Sequence, residues 1–530
     1  MCADHSSHGG TELAEAVQEL YSAGQTDYSI EPVLLVDPHG KPIGRIEDGD
    51  SVIFCCRRGE REIQLTEAFV DQDLDNFPRV KFTHLPFVTL TLYHEKFKEL
   101  PIAFAPSKIT DTLGETLSRF SLRQLHISES EKFSHVTFFF NGGNNQPFLG
   151  EKDIRIPSPK GIPFDQIPEL SLGEVVDQLN QAFVEGYDFI IANFANGDVI
   201  GHTLNRQAKI ECAQHLDINL KLVLEAASKA GYLVIVSADH GNLEELFTPD
   251  GKPHVSHTDN PVPFLVISPG LDSSIKLQPG KLADIAPTIL SILGISHPVA
   301  MTGINLIPSN HSIRSKRLLL VILDGWGIGK DDESNPIFLA YTPVWDNLVR
   351  HYPYTELEAS GEAVGLKAGK AGNSEAGHMN IGAGRVVMQD DVRLDSAMQD
   401  GSFYSNDIFL KLIEDVKKHH SRLHLISLLS ERSSHGSIDY PLAILKMAKD
   451  HDLYDVYIHV IFDGRSTEPG SAPALLTNFE HKVDAIGIGK IVTGMGRGIA
   501  LDRDGNYKKT KMAYDALVYG TGKKHSVKWK

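Results

Sequence analysis

An aspartate or histidine set just beyond an aliphatic run stands where the carboxyl end of a parallel strand opens onto a ligand crevice. This sequence repeats that arrangement. The run Phe189–Asn193 leads into Asn196-Gly197-Asp198-Val199-Ile200-Gly201-His202, Tyr232–Val236 into Asp239-His240-Gly241-Asn242, and Leu318–Leu323 into Asp324-Gly325-Trp326-Gly327. A further group, His254-Val255-Ser256-His257-Thr258, precedes Pro261-Val262-Pro263-Phe264. Carboxylate and imidazole together suit Mn²⁺, Zn²⁺ or Fe²⁺, and Asp198 and His202 are spaced to reach one ion from a single helical turn. One Asp-His pair after a strand is as readily a cap or a solvated turn. Independent strand ends carrying the same residue types make coincidence a poor explanation.

Ser374 lies in a glycine-rich stretch, Ala371-Gly372-Asn373-Ser374-Glu375-Ala376-Gly377-His378. A serine hydroxyl is a weak nucleophile at neutral pH, and a divalent metal activates it; the alternative is a serine that caps the next helix. His378 reads as structural. A cationic set follows other strand-like runs: Arg57, Arg58 and Arg61 after Val52–Cys56, Arg465 after Asp463-Gly464, and Arg497 and Arg503 within Gly494–Asp504. Planar guanidinium groups match carboxylate and phosphate oxygens two at a time, so such a cluster fits a small anion, although any one arginine is more often a surface ion pair. Gly494–Gly498 lacks the third glycine of a dinucleotide fingerprint, and Asp502-Arg503-Asp504-Gly505 has Ala513 where a calcium loop needs glutamate.

The elements that must position these groups are α/β layers. Aliphatic runs alternate with amphipathic stretches, and Leu423–Ile426 and Val456–Val460 also read as strands. A helix is expected over 206–230, with Ile210, Ala213, Leu220, Val223, Leu224 and Ala227 on one face and Gly231 to stop it; Phe409, Leu412, Ile413 and Val416 repeat the spacing. The polar segment Ile307–Arg317 reads as a linker or long loop. With 51 Lys plus Arg against 69 Asp plus Glu, the net charge is −18, which argues against a nucleic-acid surface. No aliphatic run approaches the roughly 20 residues of a membrane span. The amino terminus lacks a basic region followed by an apolar one, so the cytoplasm is the expected location. Cys2, Cys55, Cys56 and Cys212 form no disulfide framework or metal spacing, and Cys55 and Cys56 point to opposite faces if their segment is a strand.

The combination resembles the cofactor-independent phosphoglycerate mutases of the alkaline phosphatase superfamily. The matching stretches are Leu323-Asp324-Gly325-Trp326-Gly327, Gly372-Asn373-Ser374-Glu375, His435 in Ser-Ser-His-Gly-Ser, Asp463-Gly464-Arg465, Leu501-Asp502-Arg503-Asp504, Glu131-Lys132 before His135–Gly143, Asn193–Asn196, Ala238–Asn242 and Asn260–Phe264. Their order differs from the family's: residues 1 to about 306 resemble its second part and about 317 to 530 its first, as in a circular permutant, with 307–317 joining the usual termini. The resemblance implies an α/β chain of two domains. An alkaline-phosphatase-like α/β/α phosphatase domain would cover 107–389, and an α/β transferase domain 1–106 plus 390–530. It implies two Mn²⁺, with Mg²⁺ or Co²⁺ as alternatives, and no 2,3-bisphosphoglycerate. One metal would be held by Asp324, Ser374, Asp239 and His240, the other by Asp198, His202 and His257. Ser374 would accept the phosphoryl group, Lys132 would neutralise its charge, and Arg58, Arg61, Arg465, Arg497, Arg503 and His435 would grip the phosphorylated glycerate. A monomer is implied, with no nucleic-acid or membrane partner.

One position departs from the family. After Asp-Gly-Arg the family has an aspartate that moves the hydroxyl proton, and here Ser466 stands. A serine is not an effective general base. Asp463 or His435 could take that role, or the chain could act as a metal-dependent phosphomonoesterase with weak or no mutase activity.

Overall fold

The computed structural model describes residues 8–57, 61–106, 109–431, 433 and 435–527. The chain divides into two compact units, one continuous (107–392) and one discontinuous (1–106 with 393–530).

In the continuous unit the sheet order is Glu151–Ile156, Gln124–Glu129, Phe189–Phe194, Leu318–Leu323, Leu233–Ser237, Val262–Ile267, Tyr354–Glu358 and Gly280–Lys281. The first five strands run parallel, and Val262–Ile267 runs against its neighbours. All six residues of Phe189–Phe194 and of Leu318–Leu323 are buried, as expected for parallel strands covered on both faces. Leu318–Leu323 follows the irregular segment 307–317 yet lies centrally, Leu319 opposite both Ile190 and Val234. That segment is tied down: Ile307 and Ile313 enter the core, and the Ser315 N–H donates to the Ile292 carbonyl at 3.1 Å.

The expected helix runs Arg206–Lys229, packing Ala213, Leu220, Val223 and Ala227 inward, and Gly231 follows it at φ 76°. The strand expected at 232–236 is Leu233–Ser237, one residue later, because the Tyr232 N–H is taken by the Ala227 carbonyl as the helix ends.

In the discontinuous unit the order is Lys523–Ser526, Val33–Val36, Lys490–Gly496, Val456–Phe462, Leu423–Leu429, Ser51–Cys55 and Phe87–Thr89. The last five are mutually parallel. Side chains alternate between two hydrophobic cores: Ile53 and Cys55 enter one, Val52, Phe54 and Cys56 the other. Cys55 and Cys56 therefore face opposite sides of the sheet. The helix Asp407–His419 buries Phe409, Leu412, Ile413 and Val416.

Candidate active site

Three adjacent parallel strands, Phe189–Phe194, Leu318–Leu323 and Leu233–Ser237, end side by side in the continuous unit. Each delivers an acid from its carboxyl end: Asp198 on the short helix Asn196–Gly201, Asp324 directly after its strand, and Asp239 two residues past Ser237. Asp324, Asp239 and His240 are fully buried, and Asp198 is 6% exposed. The close approach depends on Gly325, which sits at φ 75°, where a Cβ would lie 2.7 Å from the Asp198 backbone. Its N–H donates to Asp239 Oδ1 at 3.2 Å.

Ser374 opens the helix Ser374–Ala383, and the cap is Asn373, whose Oδ1 accepts the Ala376 N–H at 2.9 Å. The serine hydroxyl is thus released from capping. Its Oγ lies 2.6 Å from Lys132 Nζ, 2.9 Å from His240 Nε2 and 3.3 Å from Asp324 Oδ1, at a helix end whose dipole favours negative charge. Lys132 Nζ also donates to Asp198 Oδ2 at 2.6 Å and Asp324 Oδ1 at 2.7 Å. Burial works against the Lys132 charge, but Asp324, Asp198 and Asp239 outweigh it and push the ammonium above its ordinary range.

The imidazoles are oriented from behind. His202 Nδ1 lies 2.8 Å from the Val255 carbonyl and His257 Nδ1 2.8 Å from the Gly372 carbonyl, so each ring donates there and turns its Nε2 lone pair inward. Those two Nε2 atoms are 3.2 Å apart, and they lie 3.2 Å (His202) and 3.0 Å (His257) from Asp198 Oδ1. Three electron-pair donors converging on one point need a cation between them. Asp198 raises the His202 imidazole against burial, and at His257 burial lowers the ring but the bond to Asp198 prevails and raises it. A second set is Asp239, His240 and Asp324, with His240 Nε2 3.6 Å from both Asp239 Oδ2 and Asp324 Oδ1. Among the described residues, the polar group nearest Asp239 Oδ2 from behind is His378 Nδ1 at 3.3 Å, which also lies 3.0 Å from the Ser374 carbonyl. Both donor sets fit divalent metal ions of the Mn²⁺ or Zn²⁺ type.

The metal-type residues and the serine read from the sequence therefore come together. Sequence reasoning missed the layer behind them. Asn193 Nδ2 donates to Asp324 Oδ2 at 2.6 Å, Asn242 Nδ2 donates to Asp198 Oδ1 at 2.8 Å, and His378 Nδ1 lies 3.3 Å from Asp239 Oδ2. His378 was legible as one helical turn beyond Ser374. Glu244, fully buried, accepts the N–H groups of Asn242 and Gly327 at 2.8 and 3.0 Å and so ties the two acid-bearing turns together.

The described members of the cationic set lie past the carboxyl ends of four adjacent strands of the discontinuous unit, Lys490–Gly496, Val456–Phe462, Leu423–Leu429 and Ser51–Cys55. Arg497 is 1% exposed and ion-paired with Asp463. Arg57 Nη2 donates to the Ser433 carbonyl at 3.0 Å and Arg61 Nη1 to the Leu501 carbonyl at 3.2 Å. Arg465, Ser466 and Arg503 are exposed, and His435 Nδ1 lies 3.1 Å from Glu62 Oε1. Arg58 lies outside the described residues.

Residues 394–529 match a model described as the BPG-independent PGAM N-terminus. Proteins named 2,3-bisphosphoglycerate-independent phosphoglycerate mutase are 43% identical over 294 residues in Desulforudis audaxviator, covering 55% of this chain and 57% of that protein, and 41% identical over 301 residues in Moorella thermoacetica, covering 57% and 58%. The match thus spans under two thirds of these relatives' length. A crystal structure of Leishmania mexicana phosphoglycerate mutase at low cobalt concentration is 29% identical, with a TM-score of 0.39 over 52% of this chain and 53% of that one. Residues 5–297, which bring Asp198, His202, Asp239, His240 and His257, match the metalloenzyme superfamily model, and this chain belongs to that superfamily.

Proposed function

We propose that the protein interconverts 2-phosphoglycerate and 3-phosphoglycerate through a phosphoryl group carried on Ser374. The observation that carries the reading is the surroundings of Ser374 Oγ, a buried hydroxyl with Lys132 at 2.6 Å and His240 at 2.9 Å beside two converging donor sets. The substrate is taken from the phosphoglycerate mutases that the chain is similar to. Asp324, Ser374, Asp239 and His240 would hold one Mn²⁺ and Asp198, His202 and His257 the other. When bound, such ions supply charge neutralisation at the phosphoryl oxygens and lower the proton affinity of the serine hydroxyl.

The chain's own groups then do the following. Ser374 Oγ attacks phosphorus as the alkoxide, its charge met by Lys132 Nζ at 2.6 Å, and the bond to the glycerate oxygen breaks. Lys132 donates hydrogen bonds to the charge that spreads over the phosphoryl oxygens in the transition state. Arg58, Arg61, Arg465, Arg497, Arg503 and His435 hold the glycerate carboxylate and phosphate while the second hydroxyl takes the phosphoryl group back. The continuous unit is the phosphatase domain in this reading and the discontinuous one the transferase domain. We also read the chain as circularly permuted. In support, a model described as an N-terminus matches residues 394–529, behind the superfamily match at 5–297, and the central strand Leu318–Leu323 enters through the segment 307–317.

A second reading, a metal-dependent phosphomonoesterase, is favoured by Ser466 alone. Phosphorus NMR of the manganese-loaded protein with 3-phosphoglycerate, without added bisphosphoglycerate, separates them. Formation of 2-phosphoglycerate is the expected result. Inorganic phosphate as the main product would replace the mutase by the esterase.

A further inference from the structure

A glycerate hydroxyl that attacks or leaves phosphorus must lose or gain a proton, and Ser466 cannot take it near neutral pH. Asp463, the nearest carboxylate in sequence, is 1% exposed and engaged by Arg497. It is closed to a substrate hydroxyl. His435 is held quite differently. It sits in a tight turn after the strand Leu423–Leu429, where Ser433 and Gly436 bridge each other. The Arg57 N–H donates to the His435 carbonyl at 3.0 Å, and Arg57 Nη2 donates to the Ser433 carbonyl at 3.0 Å, so the turn is clamped to the end of the neighbouring strand. The imidazole is 15% exposed, and its Nδ1 lies 3.1 Å from Oε1 of a glutamate side chain with no exposure at all, Glu62.

A carboxylate on Nδ1 keeps the proton on that nitrogen and leaves Nε2 as the base. The other Glu62 oxygen is buried with no hydrogen-bond partner among the described residues, so His435 is the polar group that Glu62 serves. Arg497, Cys56 and Tyr93 also face Glu62. Burial raises the Glu62 carboxyl, while the His435 bond and Arg497 pull it down.

We propose that Glu62 is the positioning residue of a Glu62–His435 dyad in which His435 moves the hydroxyl proton that Ser466 cannot. The inference rests on the mutase reading. In the first half-reaction the imidazolium form of His435 gives its Nε2 proton to the glycerate oxygen as that oxygen leaves phosphorus, which leaves the Nδ1–H tautomer that Glu62 holds. In the second, the other hydroxyl gives its proton to Nε2 as its oxygen bonds phosphorus and the bond to Ser374 Oγ breaks. His435 ends as it began, and protons balance over the cycle.

The test compares Glu62→Gln and Glu62→Asp in the full manganese-loaded chain. For Glu62→Gln we expect kcat for interconversion to fall about 100-fold, the loss of an oriented base. KM should stay within about threefold. Glu62→Asp should recover part of kcat, which a mere packing defect would not allow. Nitrogen-15 NMR of the histidine rings should show His435 protonated on Nδ1 in the parent chain. A Glu62→Gln protein with parent kcat overturns the proposal, as does a parent His435 protonated on Nε2 and not on Nδ1. A parent chain that yields only inorganic phosphate overturns the mutase reading itself, and the tautomer still reports on the dyad separately.

Discussion

Replacing Lys132 by Met tests the charge balance at the centre of the continuous unit. Lys132 Nζ donates to Asp198, Asp324 and Ser374 at 2.6, 2.7 and 2.6 Å, and Asp239 stands close behind. Removing the cation leaves these carboxylates facing one another in a water-poor pocket. Breaking a buried pair by deleting one partner costs about 3–5 kcal/mol. For a unit of this size that corresponds to about 6–10 °C in melting temperature. The loss should appear in full with chelator present and shrink when Mn²⁺ is added, because divalent ions replace the missing charge. Turnover should fall about 10²–10³-fold even in the loaded protein, the usual effect of losing one donor to a developing oxyanion. The ammonium is held above its ordinary range. Its stabilisation is therefore complete below that range and is lost only as pH rises through the elevated folded value, so the difference between variant and parent should be flat from about pH 6 to 9. Thermal unfolding by circular dichroism, with and without chelator, reads all of this. A chelated Lys132→Met protein that melts with the parent would refute the reasoning.

Other expectations follow from the same contacts. Ser374→Ala should abolish turnover and phosphoenzyme labelling while the circular dichroism spectrum is kept; labelled protein after incubation with phosphorus-32 substrate would remove Ser374 as the acceptor. Gly377→Ala places a Cβ 2.6 Å from the Asp239 carbonyl oxygen and 2.9 Å from its Cβ, so overpacking of about 1–3 kcal/mol should loosen Asp239 and reduce bound metal by elemental analysis; parent-like metal content would contradict it. In the discontinuous unit burial raises the Asp50 carboxyl, but His424 and Arg422 prevail and hold it at about 2. A depressed folded value gives stability that is present above the unfolded carboxyl value and lost as pH falls towards 2. Asp50→Asn should therefore cost about 2–3 kcal/mol at pH 7 and progressively less below pH 4 in denaturant titrations; an equal cost at both pH values would exclude this origin.

The sequence announced the acids and imidazoles because a strand is short, ends abruptly, and leaves its next polar residue at the sheet edge. Asp198, Asp239 and Asp324 could each be read that way. What local pattern cannot carry is adjacency: Leu318–Leu323 lies between strands that precede it by scores of residues, and only the parallel register Leu319 to Ile190 and Val234 brings Asp324 between the other two acids. Depth is equally silent. Arg497 and Arg503 look alike in sequence, yet one is buried against Asp463 and the other is exposed. Ser374 could have been a cap, and the backbone decided otherwise by giving that task to Asn373.

Glu62 shows most clearly where pattern reading stops. It follows Arg61 in a charged stretch before the helix Ile63–Val70, where a glutamate is ordinarily a solvated first-turn residue. Its burial is set by strands from distant parts of the chain: the turn that carries His435 follows Leu423–Leu429, and Arg497 follows Lys490–Gly496. A carboxylate is rarely held there without a task, since an unpaired buried charge costs several kcal/mol. Contacts, not chain order, define both groups of residues. The unit that carries Ser466 where an aspartate was expected also carries His435, braced by Glu62 past the carboxyl end of an interior strand.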